Sequence, residues 1–252
     1  MKKFLISVIT LFICVVCYGA TFNQYWYVED NAPIQTSCTT GGDIILPTPP
    51  IKYGYDFIGW EKLPITRIEY LESTGTQYID TGYVIDNSMS FDLKSRCLGT
   101  SFVFGSRQDQ NTYASGLNYD KTDNLFGIRM GNAVLYNSTQ WETNKDYEFH
   151  ISNGDIKING ITVSTANYGT SYYNGNAYLF TVNNNGTQGY GEYSIDRIYN
   201  FKMFRNNILI QDLIPVLDPD GVPCMFDKVE GKFYYNAGTG DFIAGPVIGS
   251  GE

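Results

Sequence analysis

The 252-residue chain predicts an all-β fold, two antiparallel sheets packed as a sandwich with a small β annex ahead of it. Three observations carry that prediction. Apolar and polar residues alternate over short runs, most plainly in Met89–Cys97 and Tyr147–Ile151, which is the period of a half-buried strand. Tyr and Gly are abundant, at 21 and 26 residues, and they favour strands and turns respectively. No stretch sustains the 3.6-residue period that a helix needs to bury one face.

The elements follow in order. Lys2 and Lys3 precede an apolar run from Phe4 to Cys17, and Gly19 and Ala20 are small. Charged, apolar and small-residue regions in that order make residues 1–19 a secretory signal peptide, with cleavage after Gly19. The apolar run is shorter than the roughly 20 residues a bilayer span requires, and no later segment is long and apolar enough. The mature chain is therefore expected to be secreted or displayed at a cell surface, with no membrane span.

Residues 20–62 form the annex. Prolines at 47, 49 and 50 stop any helix there and extend the chain. Beyond them Tyr55, Phe57 and Gly59 alternate with Asp56, Ile58 and Trp60 as in a strand.

After Leu63 strand signals recur at short intervals. They are read at Ile65–Leu71, Gln77–Tyr83, Met89–Cys97, Ser101–Gly105, Thr112–Leu117, Asn124–Met130 and Ala133–Tyr136. Tyr147–Ser152, Ile156–Ile158 and Ile161–Val163 are joined by Asn153-Gly154 and Asn159-Gly160, the strongest short hairpin signal available. Later strands are read at Ala177–Val182, Gly191–Phe204, Ile208–Val216, Cys224–Asp227, Lys232–Asn236 and Phe242–Ala244. The end of the chain, residues 247–252, reads as a flexible tail.

Composition excludes some functions. The chain carries a net charge of −9 and no basic stripe, which argues against nucleic acid as a partner. Loss of the signal leaves three cysteines, Cys38, Cys97 and Cys224. An odd number admits at most one disulfide, and all three read as small buried apolar residues. With His150 the single histidine, a zinc site of the usual kind is not expected.

Two resemblances rest on longer motifs. Leu46–Trp60, ending in GYDFIGW, resembles the last half of the Listeria–Bacteroides repeat, the internalin B-type repeat of bacterial surface proteins; Gly54, Tyr55, Phe57, Gly59 and Trp60 match in place. Trp141–Ser164 and Ala177–Asn206 resemble laminin-G-like, concanavalin A-like jelly rolls, with Gly191, Ile195, Asp196, Arg197, Ile198 and Tyr199 at the matching positions. YLESTGTQYIDTGY and the run from Leu213 to Pro246 are similar to the variant of this domain found in phage tail and gut-bacterial surface proteins. This resemblance spans residues 63–246. It implies a jelly-roll sandwich with sugar, protein or calcium sites in its rim loops, and it does not imply catalysis. No cofactor is expected, one structural calcium being the only addition the resemblance allows.

Catalytic chemistry finds little support in the sequence. Glu192 and Asp196 are four apart, which in a strand separates them by about 13 Å, too far for a glycosidase pair. Asp196 reads instead as a residue that fixes a loop or pairs with the neighbours of Arg197, as the resemblance implies. His150 shares a strand face with Glu148 and has no GxSxG elbow to serve. Asp218-Pro219-Asp220-Gly221 imitates a calcium loop, but Val222, Pro223 and Val229 stand where ligands should be, so a tight turn is expected.

Binding chemistry is expected at loop aromatics and amides, because aromatic rings stack on sugar faces while amides bond hydroxyls. The candidates are Tyr168, Tyr172, Tyr173 and Asn174 in one connection, and Asn183, Asn184, Asn185 and Tyr190 in another. The function these features lead to is a non-catalytic binding or adhesion module for a glycan or a cell-surface protein. A structural spacer of a surface or phage-like assembly and a divergent glycoside hydrolase are the alternatives.

Overall fold

The computed structural model describes residues 2–9, 21–26, 34–39, 46–49, 51, 55–62, 65–99, 101–109, 114–119, 124–188 and 194–248. Every element within them is a strand.

A first sheet contains β1 (Lys2–Ile9), β2 (Thr21–Trp26), β3 (Ile34–Thr39) and β4 (Tyr55–Lys62), in the order β3-β2-β1-β4. β2 runs antiparallel to β1 and β3, whereas β4 lies parallel to β1. Buried Trp26 donates its indole N–H to Thr36 Oγ1 at 2.8 Å, tying β2 to β3. The alternating stretch after the prolines is a strand, as its period requires. β1 comes from the segment read as a signal peptide, so removal of residues 1–19 would leave β2 and β4 without their shared neighbour. The strand-like run Ile44–Leu46 falls mostly outside the described residues.

Along the rest of the chain come β5 (Thr66–Arg67), β6 (Leu71–Glu72), β7 (Ile79–Val84), β8 (Met89–Cys97), β9 (Ser101–Arg107) and β10 (Ser115–Tyr119). Then follow β11 (Leu125–Met130), β12 (Ala133–Gln140), β13 (Asp146–Ser152), β14 (Asp155–Ile158), β15 (Ile161–Ser164) and β16 (Asn176–Leu179). The last are β17 (Asn183–Asn184), β18 (Thr187–Gln188), β19 (Asp196–Arg205), β20 (Ile208–Leu217), β21 (Pro223–Asp227), β22 (Lys232–Tyr234) and β23 (Ile243–Ala244).

These strands build the two sheets of a sandwich. One runs β12-β11-β10-β9-β16-β7, with β17 and β18 attached at β9. The larger runs β15-β14-β13-β8-β19-β20-β21-β22, with β5, β6 and β23 at one end. Between them lies the core. Phe91, Phe104 and Phe201 meet at centroid distances of 5.0 to 6.2 Å, and Phe126 packs edge-on against Tyr147 and Phe149. Alternation decides which residues enter it: in β8 Met89, Phe91, Leu93, Ser95 and Cys97 are buried and point inward. The residues between them, Ser90, Asp92, Lys94 and Arg96, face outward.

The two Asn-Gly turns form as expected but differ. Asn159 and Gly160 both have positive φ, 52° and 77°, as a type I′ turn demands. At the other turn only Gly154 does, and Asn153 Oδ1 accepts the Tyr168 amide instead.

Four expectations shift. Ile65–Leu71 is broken into β5 and β6: Ile68 still donates its amide to Pro215 O on β20 at 3.2 Å but bridges Val247, and Glu69 donates its amide to Pro246 O. The strand read at Ala177–Val182 stops at Leu179, where Phe180 takes a φ of 64° while its amide binds Val103 O and its carbonyl accepts Ser194 N. β19 starts at Asp196, not Gly191, and residues 189–193 lie outside the described residues. At the C-terminus Val247 and Ile248 belong to the sandwich, since Ile248 donates its amide to Arg67 O at 2.9 Å.

Candidate binding groove

The outer face of the larger sheet carries a groove of about 520 Å³ crossing β14, β13, β8, β19 and β20. Its side chains are placed by register alone. Residues directly opposite on neighbouring strands share a face, so Lys157, His150, Asp92, Lys202 and Asp212 form one row across five strands. At about 4.8 Å between strands that row is ~19 Å long. A second row is Glu148, Lys94 and Asn200. A third is Asp146, Arg96, Arg197 and Glu72.

Opposite charges meet along these rows. His150 Nδ1 lies 2.6 Å from Asp92 Oδ1, and Lys228 binds Asp212 Oδ2 at 2.6 Å. Asp146 receives Arg96 Nε at 2.5 Å and the Tyr199 hydroxyl at 3.0 Å. Burial pushes the Asp146 carboxyl up, but those two donors outweigh it and hold it below its ordinary value. A bulge between Ile198 and Asn200 puts Tyr199 on the outer face beside Asn200. There its ring lies under Lys94 Nζ at 4.9 Å and against Tyr70 at 5.7 Å.

Two buried polar atoms in the groove have no partner among the described residues, Asp212 Oδ1 and Arg67 Nε. Asp212 is 5% exposed, which makes its free oxygen a costly acceptor to leave unmade. Arg67 sits on β5 opposite Val216, where β5 continues the edge that β19 leaves. Burial lowers the pKa of its guanidinium, with Asp212 working against the shift.

His150 also contacts Ser152, Nε2 to Oγ at 3.1 Å, so Asp92, His150 and Ser152 share the connectivity of a hydrolytic triad. The serine points the wrong way for that chemistry. Its hydroxyl donates to the Asp155 carbonyl at 3.0 Å, whereas a nucleophilic serine gives its proton to the imidazole.

The loop residues singled out by sequence are scattered. Tyr168 is in the core, its hydroxyl donating to Ile151 O at 3.2 Å. Tyr172 is half-buried against the core, and burial pushes its phenol up to about 12. Tyr173 is half-buried over Gly175, and Asn174 is exposed. Asn183 is buried and makes a turn, donating to Asn176 O and accepting the Gly186 amide, both at 2.8 Å. Asn184 accepts Arg107 Nε at 3.3 Å, Asn185 occupies the left-handed turn position at φ 53°, and Tyr190 lies outside the described residues. None of the described ones lines the groove.

Asp196 is fully buried and bonds the Ser194 hydroxyl, which is the loop-fixing role read from sequence; Glu192 lies outside the described residues. The Asp218 turn is closed by its own side chain. Oδ1 accepts the Asp220 and Val222 amides and Oδ2 the Tyr235 hydroxyl. Among the described residues no group of three or more His, Cys, Asp or Glu side chains is placed to hold a metal. No helix among them is long and apolar enough to cross a membrane.

No protein-family model matches the chain, and no curated protein matches it. Among solved structures it is similar to a proposed carbohydrate-binding protein from Bacteroides ovatus, at 12% identity and a TM-score of 0.49, over 92% of this chain and 70% of that one. It also matches a Trypanosoma rangeli sialidase mutant displaying trans-sialidase activity, at 16% identity and a TM-score of 0.34, over 48% of this chain. The chain spans 21% of that sialidase's length. Neither likeness carries an argument about function, so the sandwich itself and its groove must supply one.

Proposed function

We propose that the chain is an exported or surface-displayed, non-catalytic binding module that takes a glycan in the outer-face groove. The observation that carries the reading is Asp212, which lines the groove and whose buried Oδ1 has no donor among the described residues. A hydroxyl-rich ligand supplies that donor. Around it the amide of Asn200 and the charged side chains of β8 and β13 offer further hydrogen bonds from rigid strands. Asp92 held by His150, Asp212 held by Lys228 and the outward-donating Ser152 support binding over hydrolysis.

A glycan-array screen of the exported protein, run with calcium and with chelator, tests this. Wild type should give signal on a subset of glycans, and Asp212→Ala should lose it while its circular dichroism shows it folded. Absence of signal in both conditions would leave the spacer reading standing in its place. Mass spectrometry of protein recovered from the medium of a secreting host should find Ala20 as the first residue; retention of residues 1–19 would sink the export reading.

A further inference from the structure

We infer that the groove's ligand is an anionic sugar, bearing a carboxylate or a sulfate ester, with its acidic group against Lys202 and Arg67 and a neighbouring hydroxyl donating to Asp212 Oδ1. This rests on the glycan reading above and adds the sign of the ligand's charge.

The chain as a whole is strongly acidic, yet five of the groove's lining side chains are Lys or Arg and three are Asp or Glu. Counting Asp146 and Asp155, which pair with Lys94 and Lys157 from outside the lining, the charges balance, so the sign rests on the cations left without a partner. Three of the five are engaged: Lys94 lies 3.5 Å from Asp146, Lys157 is 2.6 Å from Asp155, and Lys228 is 2.6 Å from Asp212. Lys202 and Arg67 remain.

Lys202 stands between Asp92 and Asp212 in its row, but Asp92 is bound to His150 and Asp212 to Lys228. Among the described residues Lys202 makes no ion pair. Arg67 approaches Asp212 closely enough to feel its charge, while its buried Nε lacks an acceptor. Among the described residues the groove thus presents Lys202 without an ion pair, Arg67 with an unpartnered Nε, and one unpartnered carboxylate oxygen, Asp212 Oδ1.

The complement of that pattern is an acceptor anion and a donor hydroxyl on adjacent atoms. Neutral sugars provide the donor and leave both cations unmatched. A free inorganic anion provides the acceptor and leaves Asp212 Oδ1 without a proton. Uronic acids and sulfated sugars provide both. Glu148, a groove carboxylate with no ion pair among the described residues, lies one row away on β13, three strands from β20.

Isothermal titration calorimetry of the full-length chain tests the assignment with three oligosaccharides of matched length: a uronate, a sulfated and a neutral one. Each is titrated at low salt and at ~0.5 M salt, where exposed charges are screened beyond a few ångströms. At low salt the better acidic probe should bind at least about tenfold more tightly than the neutral one, the effect of one charge-assisted hydrogen bond, and its identity distinguishes carboxylate from sulfate. High salt should narrow the difference. Lys202→Met should abolish the preference without moving the melting temperature, and Asp212→Asn should weaken acidic and neutral probes alike.

Equal binding of acidic and neutral probes overturns the inference and leaves the glycan reading intact. A preference that survives Lys202→Met overturns the placement of the acidic group. No binding of any probe at either salt overturns both this inference and the reading beneath it.

Discussion

Replacing Asp196 with Asn should remove a pH-dependent loss of stability that this carboxyl imposes on the fold. Asp196 faces the core from β19, fully buried, with Oδ1 unpartnered and Ser194 as its side-chain donor. Burial pushes its pKa from 3.8 to about 8, against the hydrogen bonds from Ser194 and Leu98. Because the folded pKa is raised, the stabilising contribution is complete below pH 4 and falls as pH climbs toward 8, where the folded protein must also ionise. The slope in that window approaches 1.4 kcal/mol per pH unit, since the unfolded chain is ionised and the folded one is not. Asp227 is raised by burial too, to about 6, so it shares the slope below pH 6. The interval from pH 6 to 8 isolates Asp196, and across it wild type should lose on the order of 2 to 3 kcal/mol relative to Asp196→Asn. Urea denaturation of both proteins at half-unit steps from pH 5 to 9 measures the difference directly, because every other titrating group is common to both. Curves that stay parallel through the interval would refute the argument that this carboxyl is protonated in the folded state.

Three further outcomes are expected. Gly116→Ala should destabilise by more than about 3 kcal/mol or prevent folding, because its Cβ would lie 2.1 Å from the Phe104 carbonyl and 2.7 Å from Gly105 Cα, both backbone; Gly82→Ala, with open space but a φ of +77°, should cost only about 1 kcal/mol by urea melts. Cys97 and Cys224 are free and buried, and burial raises both thiols, so neither should react with a thiol reagent at pH 8 until the protein is unfolded. Tyr199→Phe removes one of the donors that hold Asp146 low; by carboxyl NMR the Asp146 midpoint should move up, and its stabilising contribution, present above the unfolded pKa, should begin to be lost at a higher pH on acidification.

Much of the sandwich was legible because it obeys local rules. The alternation in Met89–Cys97 marks a strand and names its inner face, and Asn159-Gly160 specifies a two-residue turn. Where local rules meet tertiary demands the reading slipped. Phe180 is a bulky apolar residue that pattern alone continues as strand, yet the backbone turns left-handed there so that its carbonyl can accept Ser194 N. Of the groove only the shared face of His150 and Glu148 was legible. Asp92, His150, Lys202 and Asp212 come from four strands separated by up to 120 residues, and only the strand order β13-β8-β19-β20 sets them side by side. Reading loops for function drew attention to Tyr168 and Asn183, whose side chains turn out to be holding turns and core together. The available signal was the sign alternation of outward residues within each strand, which becomes a surface only once register is known.

The pairing of β6 with β23, together with the bridge from Ile68 to Val247, sets the sandwich's first and last segments side by side and antiparallel. That geometry has a mechanical meaning. A pull applied to both ends of the sandwich would load these bonds one after another, as a zipper is opened, and would peel the terminal strands at low force. A pull between one end and a ligand held on β8, β19 and β20 would instead run through the centre of the larger sheet and load many ladder bonds together. Suspended from a surface by one end only, the domain would resist shear well; strung between two anchors, it would give way at its seam.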